Sequence, residues 1–186
     1  MWKLLTWIMK LPIRLMSHIY IRFSKPRFNG GDFVKIQELI RPGDVILSKN
    51  LGELTNYFNP SPWPHGAMAL SQTQIIEAAS EGVDDDYLSN FVFKKDYIMV
   101  LRYAKMINDF RPMLLHVAKD KIGLKYDLEF EPDDDEYYCF ELIAKCYKEV
   151  FTSIVFEKKK ILGGAFYTSD SFLNREDFEI VYDSRK

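Results

Sequence analysis

The chain has 186 residues, of which 47% are hydrophobic and 15% aromatic, and this composition excludes a disordered protein because it can build a packed core. A formal net charge of −2 argues against a nucleic-acid-binding protein, which would present a strongly basic face. The two cysteines, the lack of a CxxC motif and three widely separated histidines predict no disulfide framework and no metal site, and no glycine-rich cofactor loop occurs.

Residues 1–28 differ from the rest of the chain, since they contain six Lys or Arg residues and no acidic residue. On a helix, their polar side chains would lie within about 120° of arc, opposite a row of apolar side chains. Lys10 and Arg14 interrupt the apolar run, so we expect neither a transmembrane span nor a secretory signal. Two interpretations stay open: the segment packs on the domain or a partner protein, or it lies on a membrane surface.

The predicted elements then follow in order. Asn29-Gly30-Gly31-Asp32 predicts a hinge between an extension, residues 1–30, and a domain, residues 31–186. Hydrophobic periodicity and turn residues predict helices and strands within that domain. The helices are expected at 33–40, 110–121 and from 139 onward, and the strands at 45–48, 66–71, 74–79, 97–103 and 178–182. The apolar run 97–103 predicts a strand buried on both faces, and the order of elements favours an α+β fold.

Cys139 is the candidate nucleophile. It follows a turn-like acidic run, residues 131–136, and opens a helix whose apolar residues recur at one face: Cys139, Leu142, Ile143, Cys146, Tyr147 and Val150. A thiol at a helix N-terminus is favoured as thiolate by the first-turn N–H groups and the helix dipole. Cys146 lies two turns further along the same face and is interpreted as a core residue. The acidic run is interpreted as a solvated turn, although it would also favour cationic substrates.

A cysteine nucleophile needs a base and a group that orients the base. His65 follows a proline-rich loop and opens a strand, so it is the best candidate base, with Trp63 placed to shield it from water. The alternative is an ordinary histidine at a loop edge. Glu77 lies inside an apolar strand and could serve as the partner of His65, since a buried carboxylate needs one. Strand alternation equally permits Glu77 to point to solvent.

Several motifs occur together in one order, and in that order they resemble the circularly permuted papain-like family. They are Pro42-Gly43-Asp44-Val45-Ile46-Leu47, His65-Gly66-Ala67-Met68, Ile76-Glu77-Ala78, Gly82-Val83, Gly123-Leu124-Lys125-Tyr126-Asp127 and Tyr138-Cys139-Phe140-Glu141-Leu142. The family is related to the NlpC-type cell-wall peptidases and includes YiiX-like bacterial proteins, a poxvirus protein and lecithin:retinol acyltransferase. The match covers residues 40–183, and its C-terminal part is especially similar to the poxvirus member.

The resemblance implies a small antiparallel sheet or barrel packed on helices, one of which carries the nucleophile. It implies Cys139 as nucleophile, His65 as base and Glu77 as the orienting group, with Tyr126 helping the Cys139 backbone N–H to stabilise an oxyanion. Phe140 replaces a serine that many members have, and this bulky ring is expected to alter the pocket.

Three functions follow from these observations. The first is a cysteine amidase or peptidase acting through a thioester on a peptide or amino-acid amide, with cell-wall peptides as one substrate class. The second is an acyltransferase or lipid hydrolase that takes an acyl-lipid substrate at a membrane surface. The third is a non-catalytic binding or structural component of a larger assembly, such as a virus particle. We therefore expect a cytoplasmic, peripheral membrane or virion-associated protein that needs no cofactor.

Overall fold

The structure is a computed structural model that describes residues 26–51, 61–107, 109–127, 135–161 and 164–186. The described residues form an α+β fold, as the sequence predicted. The helices are α1 (Gly30–Leu39), α2 (Leu88–Val92), α3 (Phe110–Lys119), α4 (Cys139–Val150) and α5 (Asp170–Leu173). The strands are β1 (Val45–Lys49), β2 (His65–Ala69), β3 (Gln74–Ala79), β4 (Gly82–Tyr87), β5 (Tyr97–Tyr103), β6 (Lys159–Ile161), β7 (Gly164–Phe166) and β8 (Phe178–Asp183).

Six strands form one antiparallel sheet in the order β4-β3-β2-β1-β5-β8, while β6 and β7 form a separate hairpin. The central position of β1 and β5 fits their apolar sequences, because a strand with neighbours on both sides and packing on both faces excludes water. Residues 98–101 of β5 are all buried, which confirms the prediction made from the apolar run.

The sheet separates two hydrophobic cores, because successive side chains of a strand point to opposite faces. Leu47 and Met68 lie in the core that α4 covers, whereas Ile46 and Ala67 lie in the core on the other face. The second core is closed by Ile36 of α1 and by α2. The helix that begins at Cys139 is therefore packed directly against the strands that precede it in the chain.

The segment Asn29 to Asp32, predicted as a hinge, is instead the start of α1. The Asn29 side chain accepts hydrogen bonds from the N–H groups of Gly31 at 2.8 Å and Asp32 at 3.2 Å, and the Asp32 carboxylate accepts from the Asn29 N–H. This reciprocal cap satisfies first-turn donors that a hinge would leave to water. Phe28 is buried in the second core. The proposed division into residues 1–30 and 31–186 stays a prediction, since residues 1–25 lie outside the described residues.

Some other elements begin or end at residues that differ from the predicted ones, and one strand was not predicted. The strand predicted at 66–71 spans His65–Ala69, and the helix predicted at 110–121 ends at Lys119. Strand β4 was missed because its three consecutive aspartates, Asp84 to Asp86, are residues that strands disfavour. The acidic run before Cys139 lies mostly outside the described residues.

Candidate active site

Cys139 is the first residue of α4, as the sequence predicted. Tyr138 precedes it in an extended conformation, with φ −92° and ψ 166°, and its side chain makes no capping hydrogen bond. The first N–H groups of a helix have no partner within the helix, so they remain available where the side chain does not cap them. The thiol is 6% exposed and both cysteines are free. Cys139 therefore lies at the positive end of a twelve-residue helix.

His65 and Glu77 meet because of the register between β2 and β3. Met68 is paired with Ile76, and alternate residues of a strand share a face, so His65 and Glu77 both lie on the face opposite to that pair. His65 Nε2 and Glu77 Oε2 are 2.6 Å apart. The side chains are 22% and 21% exposed, so the pair is partly shielded from water. Glu77 points towards His65 rather than freely into solvent, which settles the alternative that the sequence left open.

The electrostatics of this pair favour an imidazolium beside a carboxylate. Burial by itself would lower the pKa of His65, but the interactions with Cys139 and Glu77 outweigh burial and raise the pKa to about 9. Burial has the opposite effect on a carboxylate and by itself would raise the pKa of Glu77. The hydrogen bond and charge of His65, assisted by Lys95 and Lys94, instead hold the pKa of Glu77 below its usual range. Both groups are thus biased towards their charged forms.

The interaction between the Cys139 thiol and the His65 imidazole is among the causes that raise the pKa of His65, so the two groups lie close together. Nε2 of the ring is bonded to Glu77, which leaves Nδ1 for the sulfur. His65, Glu77 and Cys139 are distant in the sequence and are therefore neighbours in the fold. This is the arrangement that a base-assisted cysteine nucleophile requires.

Tyr126 reaches the same site through a short backbone pairing. Lys125 and Glu136 form a parallel bridge, the Tyr137 N–H donates to the Lys125 carbonyl at 2.9 Å, and the Asp127 N–H donates to the Tyr137 carbonyl at 3.2 Å. These bonds hold residues 125–127 beside the segment that leads into α4. Burial, followed by the charges of Cys139 and Asp127, raises the pKa of Tyr126 well above its usual value. The phenol consequently keeps its proton and can donate it to a hydrogen bond.

Phe140 is buried in the core, and its expected effect on the pocket stays a prediction. It is 3% exposed and packs against β2 at Gly66 and against Phe172, with the two phenyl ring centroids 6.1 Å apart. Most of α4 is buried, because residues around α5 cover it in addition to the sheet. Cys146 is also fully buried, and burial raises its pKa to about 12, which agrees with its interpretation as a core residue.

The structure brings further residues to the site that the sequence analysis missed. The Phe91 ring of α2 lies 5.8 Å from the His65 ring, centroid to centroid, and occupies the shielding position expected for Trp63. Trp63 is instead part of the core, with the Arg185 guanidinium 4.6 Å from its ring centroid. Lys94 and Lys95 follow α2, and their positive charges help to lower the pKa of Glu77. No local pattern marks Phe91, because its role depends on how α2 folds back over the sheet.

A large open cavity of about 1020 Å³ lies away from these residues, between the β6–β7 region and the segment around Arg175. Several basic side chains that line this cavity form ion pairs with acidic side chains that also line it. Arg175 and Lys105 pair with Asp177, and Lys159 pairs with Asp170. Within the described ranges, no three His, Cys, Asp or Glu side chains are grouped so that they could hold a metal ion.

Comparison with known proteins agrees with this fold. A solved structure from Escherichia coli O157:H7, titled metalloprotein yiiX, matches with a TM-score of 0.69 at 17% identity, covering 78% of this chain and 98% of that chain. Protein OPG091 of Monkeypox virus is 28% identical over 155 residues, and that of Vaccinia virus (strain Western Reserve) is 27% identical. Each alignment covers 76% of this chain and 84% of the viral protein.

The model of the permuted papain-like amidase enzymes, YaeF/YiiX, C92 family, matches residues 39–182. The chain therefore belongs to the permuted papain-like amidase family, and it is at this general level a cysteine hydrolase.

Proposed function

We propose that this protein is a cysteine amidase or peptidase that cleaves a peptide or amino-acid amide bond through a thioester intermediate. Cys139 is the nucleophile, His65 the acid and base, and Glu77 the group that holds the His65 ring and its charge. The hydrogen-bonded pair Glu77–His65, placed close to Cys139 at the N-terminus of α4, is the observation that supports this function most strongly.

The first half of the reaction forms the thioester. The Cys139 thiolate attacks the carbonyl carbon of the amide, and the carbonyl oxygen becomes an oxyanion. We expect the first-turn N–H groups of α4 and the Tyr126 hydroxyl to donate hydrogen bonds to that oxygen, because α4 begins at Cys139 and the charge of Cys139 acts on Tyr126. The His65 imidazolium then protonates the leaving nitrogen, so that the C–N bond breaks and an amine departs.

The second half restores the enzyme. Neutral His65 removes a proton from water, and the resulting hydroxide attacks the thioester carbonyl. The carboxylic acid leaves, the Cys139 thiolate returns, and His65 again carries the proton. Glu77 stabilises the imidazolium at the beginning and end of each cycle, because its carboxylate accepts the Nε2 hydrogen bond at 2.6 Å.

The rate of Cys139 alkylation by iodoacetamide as a function of pH tests this proposal. At pH 6 to 7, Cys139 should react at least about tenfold faster in the wild type than in His65→Ala, because only the wild type has an imidazolium beside the thiolate. Cys139→Ser is the control, since it reports any labelling of the buried Cys146. Identical profiles for the wild type and His65→Ala would remove the basis for a thiolate–imidazolium nucleophile. A binding or structural role would then be the better account.

A second candidate is acyl transfer to an alcohol or amine instead of water, including transfer from an acyl lipid. The basic, apolar composition of residues 1–28 favours it, because a segment of this composition suits a lipid surface. Incubating the enzyme with a thioester-forming substrate, in the presence and absence of a primary alcohol, separates the two reactions. A free acid in both samples supports hydrolysis, whereas an ester that forms only with the alcohol supports transfer.

A further inference from the structure

The turn that follows α2 places two lysines beside the catalytic pair. The Lys95 ammonium lies 5.1 Å from the Phe91 ring centroid, and the Phe91 ring in turn packs on His65. Lys94 and Lys95 are both close enough to Glu77 to stabilise its charge. Among the described residues, neither lysine forms an ion pair with a carboxylate. The surface beside the His65–Glu77 pair therefore carries two cations that can attract an external anion.

Arg27 and Phe28, near the start of the described residues, lie beside the turn that carries Lys94 and Lys95. The Arg27 N–H donates to Asp96 Oδ1 at 3.2 Å, and the Arg27 guanidinium lies 5.6 Å from the Tyr97 ring centroid. The Phe28 ring contacts Phe93, with the centroids 6.2 Å apart. The basic, acid-free sequence that ends at residue 28 thus continues directly into the surface that carries Lys94 and Lys95.

Apolar side chains are exposed between these cations. Phe93 is 43% exposed and Leu51 is 50% exposed. Leu51 is fixed next to the turn because its N–H donates to Asp96 Oδ2 at 2.8 Å. Asp96 is 3% exposed, and its carboxylate accepts hydrogen bonds from the backbone N–H groups of Arg27 and Leu51. We call the surface formed by Arg27, Leu51, Phe93, Lys94 and Lys95 the basic rim.

Acidic residues also lie near this surface. Asp84 and Asp85 are exposed on β4, and Asp84 is paired with Glu77. Asp32 precedes Phe33, whose ring lies 5.1 Å from that of Phe93, centroid to centroid. The basic rim is therefore a local cluster of cations and apolar side chains.

We propose that the basic rim binds an anionic lipid bilayer and holds the neighbouring Cys139–His65–Glu77 site close to it. Lysine and arginine attract anionic headgroups, and exposed phenylalanine and leucine side chains insert at the headgroup boundary. This combination fits a bilayer better than a free anion, which would gain nothing from Phe93 and Leu51. In the part of the chain that the structure describes, no helix is long and apolar enough to cross a membrane, so the proposed binding is peripheral.

Flotation of the full-length chain with vesicles tests the proposal. Vesicles of phosphatidylcholine alone are compared with vesicles that also contain phosphatidylserine. We expect the wild type to float with the anionic vesicles and to bind the neutral ones much more weakly. In Lys94→Gln/Lys95→Gln, the affinity for anionic vesicles should fall about 25-fold, at about fivefold per lysine.

The matched control is Lys119→Gln/Lys148→Gln, which removes the same charge from exposed positions on α3 and α4. These helices cover the other face of the sheet, so the control should bind anionic vesicles within about twofold of the wild type. Equal losses in the two variants would mean that net charge alone drives binding and would overturn the assigned surface. Failure of the wild type to bind anionic vesicles would overturn the proposal itself, and co-purification of a stable protein complex would then assign the surface to a protein.

Backbone hydrogen exchange of the full chain, with and without anionic vesicles, tests the orientation. Residues 91–97 should gain protection, while α3 should exchange at an unchanged rate. Protection of α3 without change at 91–97 would contradict the proposed orientation. The alkylation of Cys139 is measured without vesicles, so failure of the proposed chemistry can be distinguished from failure of the docking surface.

Discussion

Gly66 and Phe140 fit together so closely that Gly66 has no room for a β-carbon. A β-carbon on Gly66 would lie 2.7 Å from Cε1 of Phe140, which is 3% exposed and held by the surrounding core. Gly66 follows the proposed base and Phe140 follows the proposed nucleophile. Their contact therefore sets how closely the start of β2 approaches the start of α4, and with it the distance between His65 and Cys139.

Gly66→Ala should consequently destabilise the protein by about 1–3 kcal/mol, because the buried phenyl ring must move to admit the methyl group. Urea unfolding gives the change in the free energy of unfolding. Gly66→Ala/Phe140→Leu should recover part of the loss, since the smaller side chain leaves space for the methyl group. A stable Gly66→Ala protein with wild-type Cys139 alkylation would show that this contact does not set the site geometry.

Glu77→Gln should lower the pKa of His65. The carboxylate stabilises the imidazolium through its charge and its hydrogen bond, whereas a neutral amide supplies no charge, so the pKa should fall from about 9 to below about 8. The chemical shifts of the imidazole carbons, followed by NMR against pH, give this value. Glu149→Gln is the control, because Glu149 pairs with Lys121 away from the site. An unchanged His65 titration would mean that Glu77 does not stabilise the imidazolium.

Tyr126→Phe should separate thiol activation from oxyanion stabilisation. Alkylation by iodoacetamide creates no oxyanion, so its rate should stay near that of the wild type. Turnover of a nitrophenyl ester passes through a tetrahedral oxyanion and should slow by about 10- to 100-fold. Thermal unfolding should show that the variant is folded. If both rates fall together, Tyr126 acts on the thiol or on the fold rather than on the oxyanion.

The stability of the protein should depend on the protonation of His65. Its pKa is about 9 in the folded protein and about 6.5 in the unfolded chain, so the folded state binds the proton more tightly. The resulting stabilisation is fully present below about pH 6.5 and is lost as the pH rises to about 9, by no more than about 3 kcal/mol.

Comparison of the free energy of unfolding of the wild type and His65→Gln at several pH values tests this linkage. Other groups titrate in both proteins, so the difference between the two curves isolates the contribution of His65. The advantage of the wild type should shrink between pH 6.5 and 9. A constant difference across this range would contradict the raised pKa of His65.

The sequence by itself determined the parts of the protein that follow from local periodicity. Apolar alternation and turn residues placed β3 and β5 at their observed bounds, and helical spacing placed α4 with Cys139 at its start. These signals are local, because a helix or strand must bury one face or both, whichever elements it later packs against.

Tertiary structure decided which side chains meet. The register of β2 and β3 placed His65 and Glu77 on one face, and the packing of α4 against the sheet brought the Cys139 thiol to the same imidazole. It also buried Phe140, which lies off the predicted apolar stripe, because α4 is covered on more than one side. Strand pairing and helix packing join residues far apart in the chain, so their outcome depends on the whole core rather than on any segment.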